Sequence, residues 1–163
     1  MHWLLTIILT LALLLIGVIV LEKGQSSAGG LMAGHLSPCP STPNCVCSEI
    51  SPMAVAYIEP FVIVGDAQYA WHRLRAVIEQ TNGDVVADNG EYMWVTYKTQ
   101  WLRFIDDVEF RSDEANHVIH VRSASRIGRS DFSVNRNRMI KLRKLYEQLQ
   151  IDQDTSAAAI DPS

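Results

Sequence analysis

Three carboxylates stand close together at Asp106, Asp107 and Glu109, and an arginine-rich stretch follows them. Such carboxylates can act as acid and base, with Arg126 or Arg136 holding an anion. Strand alternation sorts these residues by face. Phe104, Asp106, Val108 and Phe110 share one side of a strand, and Ile105, Asp107, Glu109 and Arg111 share the other. On the next strand Ile119, Val121, Ser123, Ser125 and Ile127 face one way, and His120, Arg122 and Arg126 the other. Matching the apolar faces across a loop at 113–116 sets Phe110 beside Ile119 and Val108 beside Val121. That register predicts Asp107 opposite Arg122 and Glu109 opposite His120, with Asp106 on the apolar face. Such a ladder is either a solvated surface, each pair contributing a few tenths to about 1 kcal/mol, or a ligand site.

Cations are concentrated just beyond. Arg122, Arg126, Arg129, Arg136, Arg138, Lys141, Arg143 and Lys144 make eight of the fourteen Lys and Arg, with Asp131 as the one acid among them. In a chain of net charge −4 these are either exposed helix and turn residues balanced by acids elsewhere in the fold, or a local basic face suited to phosphate or carboxylate rather than to nucleic acid. The interleaved aromatics that stack bases are missing from it. The candidate ligand-binding set is Asp107, Glu109, Arg122, Arg126, Asn135, Arg136 and Arg138.

Cys39, Cys45 and Cys47 lie in Pro-Cys-Pro-Ser-Thr-Pro-Asn-Cys-Val-Cys. Prolines on both sides of Cys39, with Pro43 in the loop, make a constrained turn that brings Cys39 to Cys45 for a small disulfide in an oxidising compartment. Cys47 is then the thiol left over. A metal site from the three cysteines and His35 is the sharper alternative, but the paired C-x-x-C spacing of zinc knuckles is absent. No metal or cofactor is expected.

These residues need elements to hold them. Residues 57–64 read as a strand, and Asp66 as the N-cap of a helix carrying Ala67, Ala70, Trp71, Leu74, Val77 and Ile78 at helical spacing, stopped by Asn82-Gly83. Strands follow at 84–88, 92–99, 103–111 and 117–127, with Asn89-Gly90 as a hairpin turn. A helix over about 133–150 buries Val134, Met139, Leu142, Leu145, Tyr146 and Leu149. The order strand, helix, four strands, helix predicts an α+β domain: an antiparallel sheet of four to five strands with two helices on one face.

From Trp3 to Leu21 the chain carries no charge. Nineteen residues span roughly 28 Å as a helix, so a transmembrane anchor is expected; a cleaved signal peptide is the competitor, without a basic start or an A-x-A site. The expected layout is an anchor over 1–22, a flexible Gly/Ser-rich linker over 23–38, the domain over 39–150 and a disordered tail over 151–163. Few cations after the apolar run, together with the cysteine loop, place the domain in the periplasm, held at the inner membrane.

Taken together, Cys39-Pro40-Ser41-Thr42-Pro43-Asn44-Cys45-Val46, the run from Arg103 to Phe110, the run from Val121 to Phe132, and Asn135-Arg136 resemble the family called domain of unknown function 1499. The resemblance covers about 36–149. It implies a domain boundary and a paired role for Cys39 and Cys45, with Cys47 where the family more often has Ser, and it implies no substrate. Enzyme motifs are lacking: there is no Gly-x-Ser-x-Gly elbow, no His-Glu-x-x-His, no phosphate loop and no dinucleotide fingerprint. The reading that follows is a non-enzymatic domain for an anionic partner, a lipid headgroup or an acidic protein surface. The alternatives are an accessory subunit of a membrane complex, or a hydrolase using Asp/Glu and Arg.

Overall fold

A computed structural model describes residues 2–23, 28–98, 104–127 and 133–160. Its strands are β1 (Leu31–Met32), β2 (His35–Leu36), β3 (Cys45–Cys47), β4 (Phe61–Val62), β5 (Asp84–Asp88), β6 (Tyr92–Lys98), β7 (Ile105–Asp113) and β8 (Val118–Ser125). The helices are α1 (His2–Lys23), α2 (Ala67–Gln80) and α3 (Val134–Ile160). β3, β8, β7, β6 and β5 lie side by side in that order, and β4 adds to β8 as the sixth strand. The sheet is therefore larger than the expected four to five strands. The extra pairing comes from the cysteine segment, since Cys45–Cys47 lies antiparallel along Ala124–Arg122.

One face of the sheet is apolar. Met93, Val95, Val108, Phe110, Ile119 and Val121 form the core with Trp71, Leu74, Val77 and Ile78 of α2 and Met139, Leu142 and Tyr146 of α3. α2 begins where its cap requires: Asp66 Oδ1 accepts from Tyr69 N at 3.0 Å. It ends at Thr81 and Asn82, the latter with φ +59°. Gly83 follows because a Cβ there would lie 2.7 Å from Ile78 and from the Tyr97 hydroxyl. α3 differs in two respects from expectation. Val134 is exposed rather than buried, and the helix continues through the expected tail to Ile160, with Arg73 of α2 bonded to Gln150 and Gln153.

The expected transmembrane helix is corrected. Among the described residues no helix is long and apolar enough to cross a membrane. The backbone of α1 is helical from His2 to Lys23. The segment read as a flexible linker also differs: β1 and β2 form a small hairpin within it.

Candidate functional site

The second face of the sheet carries the charged ladder, two residues out of the expected register. Phe110 pairs with Val121 and Val108 with Ser123, so Glu109 faces Arg122, His120 faces Arg111, and Asp107 faces Ala124. A two-residue slip keeps every side chain on its face and changes only the partners. It arises at the turn. β7 runs on to Asp113, whose carboxylate caps the short 3-10 turn Glu114–Asn116 through Asn116 N at 3.2 Å. His117 takes the left-handed conformation at φ +53° to reverse the chain.

Glu109 is fully buried. Arg122 Nη1 donates to its Oε2 at 2.7 Å, the Tyr92 hydroxyl to Oε1 at 2.8 Å, and the backbone N–H groups of Gly29 and Gly30 at 3.2 and 2.6 Å. Ser37 Oγ in turn donates to the carbonyls of Gly29 and Gly30. Residues 29–37 thus form a strap across the polar face. Burial, followed by the bond to Glu109, pushes the Tyr92 hydroxyl pKa far above its ordinary value.

Asp107 is held by a fork: Arg126 Nε and Nη2 donate to its two oxygens at 2.8 Å each, and Trp94 Nε1 donates at 2.7 Å. That bond to Asp107 raises the Arg126 pKa, against the effect of burial. Asp106, on the apolar face, meets Arg138 from α3. Arg138 also donates to Asn135 Oδ1 at 2.7 Å. Asn135 is buried, accepts from Ser123 Oγ at 2.5 Å, and donates to Asn44 O at 2.9 Å and Ser125 Oγ at 3.0 Å. The candidate set is therefore split between the two faces. Asp107, Glu109, Arg122 and Arg126 share the polar face, whereas Asn135 and Arg138 tie α3 to the cysteine loop and the sheet from the apolar side.

Sequence reasoning missed Glu49. It accepts from Arg111 Nη2 at 2.6 Å, from Leu36 N at 2.5 Å, and lies 2.8 Å from His35 Nδ1. Burial raises its carboxyl pKa, but the bonds from Arg111, His35 and Leu36 outweigh this and pull it below the ordinary range. No periodicity marks Glu49, because it lies in an irregular segment after β3. Asn44 was legible only as part of the cysteine motif.

The disulfide joins Cys39 and Cys45, and Cys47 is free and buried. Burial pushes the Cys47 thiol pKa up, with the Glu49 N–H and Arg122 opposing. Among the described residues no group of three or more His, Cys, Asp or Glu is placed to hold a metal.

Arg136 stands apart from these pairs. It lines a cleft of about 440 Å³ with Ser41, Thr42, Val55, Ala56 and Ser133, and no acid is among the described residues that line it. Its Nη2 donates to Val55 O at 2.6 Å. A second cleft of about 310 Å³ on the other side of Arg136 is walled by Tyr57, Ile58, Glu59, Ile140 and Arg143. Arg143 is occupied with the carbonyls of Pro60 and Glu59. Arg129 lies outside the described residues.

Sheet, helices and site define a small α+β domain whose sheet-face carboxylates are each matched to an arginine and whose disulfide loop walls an arginine-bearing cleft. The chain matches the family described as Protein of unknown function (DUF1499) over residues 35–145, and it belongs to that family. No curated protein matches it.

Proposed function

We propose that this chain is a non-enzymatic binding domain for an anionic partner, engaged through the exposed side of α3 around Arg136. The observation that carries the reading is the division of labour among the basic residues. Arg122, Arg126 and Arg138 are each held by a buried carboxylate. Arg136 meets only a carbonyl among its described contacts and borders a cleft whose described lining residues include no acid. Lys141 and Lys144 are exposed on the same helix, and no ion pair of theirs is found among the described residues. A guanidinium with spare donors beside hydroxyls suits a phosphate or carboxylate group. The same division weakens the hydrolase reading, since Asp106, Asp107 and Glu109 are committed to arginine rather than free to move protons. The disulfide supports work in an oxidising compartment.

Titration with inorganic pyrophosphate, followed by NMR of the full chain, tests this. Shifts should concentrate at Arg136, Ser41, Thr42 and Ser133 and vanish in Arg136→Ala. Shifts confined to other parts of the surface, or none, would sink the reading.

A further inference from the structure

The loop between β3 and β4 holds two large apolar side chains in water: Met53 and Val55 are each 94% exposed. This is an ordered loop. Ala54 N donates to Ser51 O and Tyr57 N to Ala54 O, both at 2.9 Å. The base is tied to β3, with Cys47 N donating to Ala56 O at 2.9 Å and Ile58 N to Cys47 O at 3.2 Å. Arg136 reaches across from α3 to Val55 O, and Pro52 fixes a further backbone angle. The fold thus presents Met53 and Val55 outward on a fixed backbone. Apolar groups held in solvent in this way mark a contact surface.

The surroundings select the occupant. Arg136, Ile140 and Lys144 recur every four residues along α3, one stripe of a helix; Ile140 is 43% exposed. Val55 and Arg136 line one cleft together, and Ile140 and Arg136 line the next. Glu59 borders that second cleft, and both Glu59 and Glu147 lie within reach of Arg143's charge. Met53 protrudes, and Val55 stands exposed at the rim of its cleft. A protein partner would need a pocket shaped to them, whereas a bilayer interface admits a convex apolar tip with cations at headgroup level.

We propose that loop 51–56 dips into the surface of an anionic bilayer while Arg136 and Lys144 rest on lipid phosphates. This inference rests on the anionic-partner reading and names the partner; α1 plays no part in it. The test uses the full chain in a Cys47→Ser background, with a polarity-sensitive dye on Val55→Cys, or on Met53→Cys should the first variant misfold. A second label on Gln68→Cys, on α2, registers adsorption through any other segment.

With vesicles of phosphatidylcholine plus phosphatidylglycerol, the loop label should shift to shorter wavelength and the Gln68→Cys label should not. Added salt should reverse the shift, and Arg136→Ala with Lys144→Ala should weaken it roughly tenfold. An equal shift with phosphatidylcholine alone would overturn the charge selection, and equal shifts at both labels would overturn the loop's role. No shift at the loop, with pyrophosphate still perturbing Arg136, would overturn the bilayer while leaving an acidic protein as the anionic partner. No shift and no pyrophosphate effect would overturn both readings.

Discussion

Arg122 Nη1 donates to Glu109 Oε2 at 2.7 Å directly across the β7–β8 ladder, inside a shell that leaves Glu109 no exposed surface. The two partners are unequally served. Glu109 receives four donors, counting Gly29, Gly30, Tyr92 and Arg122, while Arg122 Nε is buried with no partner among the described residues. Much of the carboxylate's compensation therefore comes from the strap and from Tyr92 rather than from its ion-pair partner.

Removing one member of this pair strands the other in a buried site. Glu109→Leu and Arg122→Met should each cost about 3–5 kcal/mol in urea unfolding, and the double variant should cost less than their sum. Strict additivity would show that the two charges are not coupled.

The strap has a tight point at Gly29. A Cβ there would lie 2.7 Å from Ser37 Cβ and 3.3 Å from Arg122 Cζ. Gly29→Ala should lower stability by about 1–3 kcal/mol and raise the rate of proteolysis between residues 28 and 37. Cleavage at the wild-type rate would mean the strap absorbs the methyl group by shifting locally.

The register slip shows where the sequence is informative. Alternation along residues 104–111 and 118–125 assigned every charged residue to its face, because burial of one face permits only even slips. It did not choose among even slips. That choice was made by Asp113 capping its own turn and by His117 entering the left-handed region, local geometry that apolar patterning does not encode. Asp66 and Asn82 were legible for the converse reason, since cap and stop residues act on their own helix. Glu49 and the Gly29–Glu109 contact were hidden because both join irregular segments to distant strands, Gly29 being 80 residues from Glu109.

Acid should destabilise the protein in two stages. His120 contacts Ser48 Oγ and lies 3.6 Å from Asp113 and 3.9 Å from Glu49, with Arg111 nearby. Burial, opposed by Glu49 and reinforced by Arg111, depresses its pKa below the ordinary 6.5. Glu49 is held below its ordinary 4.5. Both groups bind fewer protons folded than unfolded, so their stabilisation is complete above those ordinary values and is lost as pH falls through the folded ones. Stability should decline as pH drops below 6.5 and again below 4.5. His120→Asn should flatten the first decline and leave the second. An unchanged slope just below 6.5 would rule out His120 as its source.

Thiol chemistry should follow burial. With Cys39 and Cys45 joined and Cys47 buried with a raised pKa, the native protein should take up no alkylating reagent. Denaturation without reductant should expose one reactive thiol, and denaturation with reductant all three. Mass spectrometry of the alkylated chain reads the count; labelling of Cys47 under native conditions would show that β3 opens readily.

The sharpest separation between binding and folding lies within one turn of α3, at Arg136 and Arg138. Arg138 faces Asp106, which is 2% exposed, and also joins Asn135 and Ser123. Arg138→Ala leaves that carboxylate buried and unpaired, a loss of about 3–5 kcal/mol. Arg136 gives up a bond to one backbone carbonyl at the edge of its cleft, so Arg136→Ala should cost no more than about 1 kcal/mol while removing the response to pyrophosphate. Pairing Arg138→Met with Asp106→Leu should recover much of the stability lost at 138, because two apolar groups replace two charges in the same space. Thermal unfolding and pyrophosphate titration of the three variants check both halves together. If Arg136→Ala unfolds the domain as readily as Arg138→Ala does, α3 is a structural strut along its whole basic stretch, and the binding face must be sought elsewhere on the molecule.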